Sequence, residues 1–181
     1  KGILRCNYNM MPFSGMGERV RPGPSRRSKE ISMVTQKALI PVLDLSEYPN
    51  AVVDVFIELT ETDAGSRCAG ICAASMALAD AGLKMRDLVT AVSVGKVDDK
   101  VVVDLDYAEE AYEDGHVADI PIAYIPSTGE FSLLQMDGII STDEFIEALT
   151  LAKKAMPRLY EIQKKALKEK YLLFHGNEEK G

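Results

Sequence analysis

The sequence predicts an α+β fold in which a mixed sheet packs on helices and the chain ends in a long helix. Three observations carry this. Residues 51–59 alternate, with Val53, Val55, Ile57 and Leu59 on one face and Asp54, Phe56 and Glu58 on the other. Ile31, Val34, Ala38, Val42 and Leu45 follow helical spacing. Helices alternate with strands early and strands follow one another later, giving the order β-α-β-α-β-β-β-β-α, partly antiparallel.

Each element has its own signal. Residues 3–9 read as a strand. Pro12, Gly15, Gly17, Pro22, Gly23 and Pro24 make residues 10–27 a loop, long enough to suggest function or motion. Ser28 can cap the next helix, with Glu30 favourable in its first turn, and Pro41 should kink or shorten it. A helix from about Gly65 to Ala81 is rich in Ala and closed by Gly82, so it suits burial on most sides. Residues 88–95 and 100–105 read as strands joined at Asp98-Asp99. An acidic segment, 107–115, precedes strands at 119–125 and 131–136. Ser141 and Glu144 form a capping box, with Ile140 and Phe145 as its hydrophobic staple. The helix they start should reach about Leu172 and kink near Pro157. We expect one domain over residues 1–173 and a polar tail over 174–181.

Composition narrows the function classes. The 181 residues are 46% hydrophobic and 27% charged, which suits a globular core. No apolar run is long enough to cross a bilayer, and no signal peptide precedes the first strand, so the expected compartment is the cytoplasm. Cys6, Cys68 and Cys72 form no disulfide framework and fit reduced thiols. The net charge of −7 argues against a polyanion partner, but its distribution argues for one. Residues 1–37 hold eight Lys or Arg against Glu18 and Glu30. A basic front on an acidic body is the footprint of a local polyanion site, and also of a solvated basic loop.

Two constellations can do chemistry. Gly65-Ser66-Arg67 falls where a strand passes into a helix. The first helical N–H groups lack intrahelical acceptors there, Gly65 admits an anion to the backbone, and Arg67 can clamp two phosphate oxygens. An ordinary helix cap looks similar. Asp104 and Asp106 stand two apart at a predicted strand end and share a face, with Glu109 and Glu110 following. Crowded carboxylates can supply a general acid or hold a divalent metal; a solvated strand end has the same composition. Arg26-Arg27, ahead of a helix, suits backbone phosphates of RNA or a basic surface. Tyr8, Met10, Met11 and Phe13 can stack on bases, although Tyr8 better fits a strand core. Cys68 and Cys72 lack further metal ligands and read as buried small hydrophobes.

These pieces occur in a recognisable order. Asn7 through Ser14, Arg21 through Ser28, Glu30-Ile31-Ser32, Asp63 through Arg67, Ala79 through Gly82, Met85 through Leu88, Asp104-Leu105-Asp106 and Leu134 through Gly138 together resemble the RNase PH family, and within it the catalytic branch of the archaeal exosome. The likeness covers nearly the whole chain, but not the family's first strands and N-terminal basic residues. With no Met at the start, we expect a chain lacking its natural beginning.

The resemblance implies an RNase PH-type β-α-β-α fold and a hexameric ring of three heterodimers, each with an inactive RNase PH-like partner subunit, topped by RNA-binding cap proteins. It implies 3′→5′ degradation of single-stranded RNA with inorganic phosphate, and tailing in reverse. By position, Gly65, Ser66 and Arg67 would hold the attacking phosphate and Arg26 and Arg27 the RNA. Asp104 matches an acidic site position. The second acid, usually Asp, falls at Glu110, with Asp106 as the alternative acid or metal ligand and Mg²⁺ as the candidate ion. A one-methylene displacement of a catalytic acid can change rates by orders of magnitude. Two other readings are a non-catalytic ring subunit and a stand-alone RNase PH trimming transfer-RNA ends. Retention of the cradle and the acids speaks against the first. Pro12-Phe13-Ser14 and Leu134 through Gly138 look more like the exosome branch than the second.

Overall fold

Two sheets and two layers of helices alternate through the molecule. The computed structural model describes residues 1–17 and 19–175. Strands β1 (Ile3–Met10) and β2 (Val52–Leu59) pair in parallel, from Ile3 opposite Val52 to Met10 opposite Leu59. A parallel pair needs a crossover, and helix α1 (Arg26–Leu39) supplies it, followed by 3-10 turns at Ile40–Val42 and Leu45–Glu47. Helix α2 (Ser66–Asp80) leads to β3 (Thr90–Val97), β4 (Lys100–Val103), a single turn α3 (Tyr107–Glu110), β5 (Val117–Ile125), β6 (Glu130–Leu134), β7 (Asp137–Gly138) and α4 (Thr142–His175). The second sheet is antiparallel in the order β4-β3-β5-β6, with β7 also on β5. Parallel and antiparallel pairings thus fall in two sheets rather than one.

The packing explains the composition of α2. One core lies between the β1–β2 pair and helices α1 and α2, and joins Leu4, Ile31, Leu39, Ile57 and Ile71 to Val89, Ala91 and Ala123 of the second sheet. A second core lies on that sheet's far face, where Val92, Val94, Ile120 and Ile122 meet Ala148, Ala152 and Met156 of α4. Helix α2 therefore has a sheet on each side, and small residues are what such a slot admits. A Cβ on Gly70 would stand 3.2 Å from the Ile57 side chain. Its C-terminus closes on Gly82, φ 78°, with Leu83 N–H donating to Leu78 C=O at 3.2 Å.

Several expectations need correction. The cap of α1 is Ser25, not Ser28, so the helix starts at Arg26: Ser25 Oγ accepts from Ser28 N–H at 3.0 Å while Ser28 Oγ accepts from Ser25 N–H at 2.8 Å. Glu30 consequently leaves the first turn. The helix stops at Leu39 because Pro41 cannot continue the hydrogen-bond ladder. The strand expected over residues 100–105 ends at Val103, so the shared carboxylate face does not form. Asp104 turns left-handed, φ 64°, and Asp106 becomes the cap of α3. Strand β7 was not anticipated. It rests on Gly138, φ 105°, whose Cβ would lie 2.0 Å from Val117 O. Helix α4 runs to His175, past Leu172 and into the expected tail; residues 176–181 lie outside the described residues. Among the described residues, no helix is long and apolar enough to cross a membrane.

Candidate active site

The turn into α2 builds the cradle. Ala64 and Gly65 are both left-handed, φ 57° and 53°, and swing the chain from β2 into the helix. Gly65 caps the helix without a side-chain bond, so no capping side chain fills the space in front of the first turn. Ser66 is 7% exposed and its Oγ lies 2.7 Å from the Tyr8 hydroxyl. Tyr8 is thus a core residue that positions Ser66, while Phe13 stays 64% exposed.

Arg67 is fixed by two partners from distant segments. Its Nη1 donates to Gln135 Oε1 and its Nη2 to Glu30 Oε2 at 3.3 Å. Gln135 Nε2 donates in turn to Glu30 Oε1 at 2.9 Å, which closes a ring of three side chains. Gln135 follows β6 and its own N–H is held by Pro121 C=O at 3.2 Å.

These groups line a pocket of about 450 Å³ together with Arg27, Glu110 and Asp119. Burial pushes the Glu110 carboxyl up from its ordinary value, and the neighbouring Asp119 adds to that; Arg27, the Gly65 N–H and Arg67 pull the other way. Asp119 accepts a hydrogen bond from Ser93 Oγ of β3. Cys68 also lines the pocket, but burial raises its thiol far above the reactive range.

The structure gathers Gly65, Ser66, Arg67, Arg27 and Glu110 around this pocket and leaves three expected residues outside its lining. Arg26 stands exposed at the first position of α1. Asp104 lies on the other side of the cradle, its Oδ1 3.6 Å from where a Gly65 Cβ would sit, beside a second cavity that includes Lys154 and Arg158. Asp106 accepts from Glu109 N–H at 2.8 Å and so secures the turn that carries Glu110. Among the described residues, no three His, Cys, Asp or Glu side chains converge, so Asp104, Asp106 and Glu110 do not form one carboxylate cluster.

Sequence reading missed Asp119, Ser93, Glu30 and Gln135 as site residues. Asp119 carried one usable signal, a lone acid among the buried Ala118, Ile120, Pro121 and Ile122 of β5. Glu30 and Gln135 lay within the motifs of the resemblance, but nothing local tied either to Arg67.

This arrangement, a left-handed turn and a helix start between two sheets with carboxyls beside them, stands on a fold shared with solved structures. The crystal structure of rice (Oryza sativa) Rrp46 superposes with a TM-score of 0.79, covering 92% of this chain and 73% of that one at 18% identity. The 3′ exoribonuclease family model matches in both parts, domain 1 over residues 1–84 and domain 2 over residues 87–155. The chain is also 54% identical to the exosome complex component Rrp41 of Thermococcus gammatolerans over 170 residues, 94% of this chain and 67% of that protein. To the protein of that name from Methanopyrus kandleri it is 51% identical over 171 residues, 94% of this chain and 70% of that one. The chain belongs to the 3′ exoribonuclease (RNase PH) family.

Proposed function

We propose that this chain is the catalytic ring subunit of an archaeal exosome and shortens single-stranded RNA from its 3′ end by phosphorolysis. The observation that carries the reading is the single pocket in which Ser66, Arg67 and Arg27 face Glu110. Inorganic phosphate, as substrate, sits at the N-terminus of α2, where the free N–H groups and Arg67 offset its charge. Arg27 holds the scissile phosphate and Arg26 the backbone further out. A phosphate oxygen bonds to the terminal phosphorus and the bond from that phosphorus to O3′ breaks. A nucleoside diphosphate leaves, and O3′ of the shortened RNA takes a proton from Glu110. The reverse sequence adds a nucleotide.

The other acids have distinct places in this proposal. Asp104 flanks Gly65 from behind and Asp106 holds α3 in position. The chain's partners are an inactive RNase PH-like subunit, three heterodimers forming the hexameric ring, and RNA-binding cap proteins. Its compartment is the cytoplasm, where Cys6, Cys68 and Cys72 stay reduced.

The test mixes full-length protein, partner subunit, adenylate-rich RNA and Mg²⁺, with and without phosphate. Nucleoside diphosphates should form only with phosphate. Equal shortening in both tubes would replace phosphorolysis with hydrolysis. No shortening in either would leave a non-catalytic ring subunit, and full activity of the chain alone would point to a stand-alone enzyme.

A further inference from the structure

We infer that Gln135 and Glu30 are positioning residues of opposite effect on the phosphate site, Gln135 aiming Arg67 at the anion and Glu30 acting as the resting counter-ion that the anion displaces. The inference rests on the phosphate role given to Arg67 above.

The geometry distinguishes the two partners. Arg67 has a largely buried side chain, 18% exposed, so its orientation is set by what it touches. Nη1 donates to the neutral Gln135 amide oxygen. Nη2 reaches the charged Glu30 oxygen only at 3.3 Å, long for a charge-assisted bond. One arm of the guanidinium thus meets a neutral amide and the other a carboxylate at the long end of hydrogen-bond range. An anion entering the pocket competes with the like-charged Glu30 for its arm and not with the neutral Gln135 for the other, and Glu30 keeps its bond from Gln135 Nε2.

Both partners are anchored independently of the pocket. Glu30 precedes the fully buried Ile31 of α1, and the Gln135 backbone is tied to β5 through Pro121. Glu30 also sits three and four positions after Arg27 and Arg26, on the same side of α1. The resting counter-ion of the phosphate arginine is thus carried by the helix that presents the RNA arginines.

Charge and hydrogen bonding then act with opposite sign. A carboxylate at the rim of an anion site repels the incoming phosphate, whereas the amide only orients Arg67. Glu30→Gln removes the charge and keeps one amide oxygen, enough to retain the Gln135 Nε2 bond while the Arg67 Nη2 contact is given up. It should lower the phosphate KM about fivefold, as expected for one partly screened charge at short range. Gln135→Ala removes the neutral acceptor that orients Arg67 and should raise the phosphate KM about tenfold. The RNA KM should move little in either variant.

The measurement is nucleoside diphosphate release against phosphate concentration in the assembled complex, with Arg67→Ala alongside and melting temperatures to confirm folding. Opposite shifts in phosphate KM support the inference. Weakening by both variants, or no change in Glu30→Gln, overturns it. If Arg67→Ala itself leaves the phosphate dependence intact, the cradle reading fails instead. A Gln135→Ala chain that does not fold leaves Glu30→Gln to decide, since a purely structural Glu30 cannot tighten phosphate.

Discussion

The starts of α3 and α4 use the same local device and leave their glutamates in opposite states. Both open with a capping box, Asp106 with Glu109 and Ser141 with Glu144. At α4, Glu144 accepts from Ser141 N–H at 2.9 Å and Oγ at 2.7 Å and pairs with Lys96 Nζ at 2.6 Å. The Lys96 hydrogen bond, then those from Ser141, draw its carboxyl down to about 2. At α3, Glu110 projects beside the box into the pocket. Burial and then Asp119 raise it. A carboxylate surrounded by donors is locked as an anion and holds structure together. One partly buried beside another acid, with cations at a remove, is prepared to carry a proton.

The linkage signs follow. The folded state lowers Glu144, so its stabilisation is present above the ordinary glutamate pKa and is lost as pH falls toward about 2. The folded state raises Glu110, so folding binds a proton more readily there. That contribution is lost as pH rises through its folded pKa, and ionised Glu110 opposes folding at neutral pH.

The largest test of the contrast is Glu110→Gln. It should lower phosphorolysis by about 10²- to 10⁴-fold, the range of general acid catalysis, without lowering the melting temperature. Asp104→Asn run beside it should give the smaller loss; the reverse ranking would move the proton to Asp104. Next is the pH profile of kcat under phosphate saturation. A general acid works protonated, so the rate should fall as pH rises through the raised Glu110 pKa, and Glu110→Asp should displace that limb. A limb indifferent to the substitution would remove Glu110 from proton transfer. Smaller still is Glu144→Gln, which should bring acid unfolding to higher pH and reduce the melting temperature modestly, with the rate retained. If it lost activity instead, the division between a structural and a functional glutamate would fail.

The same contrast separates what the sequence could reveal from what it could not. The Ser141–Glu144 box, the alternation of β2 and the Gly82 closure of α2 were all legible, because each is decided by residues within a few positions. Glu110 was read as an acid from its motif position, but its surroundings were not readable. Asp63 Oδ1 accepts the Tyr107 N–H at 3.0 Å across 44 positions, tying α3 to the cradle loop. Ser93 meets Asp119 across 26, and Gln135 meets Glu30 across 105. No period or cap signal spans such distances. The strand reading of Asp104 and Asp106 failed for a related reason. Alternation continues through Leu105, which is buried, but the left-handed Asp104 and the cap at Asp106 end the strand first.

The smallest expected effect sharpens the comparison most, because it exchanges like for like. Asp106→Ala and Ser141→Ala each delete the side chain of one capping box, a loss of about 1 kcal/mol at an exposed helix start. At α4 the loss should end there. Lys96 still holds Glu144, and α4 is anchored by Ala148, Ala152 and Met156, all fully buried. Helix α3 has a single turn and no buried residue, so its cap and the Asp63 bond hold the turn that brings Glu110 to the Gly65 N–H. Loosening it should let water reach Glu110 and relax its pKa toward the ordinary value. The alkaline limb of kcat should therefore move to lower pH in Asp106→Ala and stay put in Ser141→Ala, at similar small losses of melting temperature. Coincident pH profiles for the two variants would show that the position of Glu110, and with it the raised pKa, does not depend on the cap.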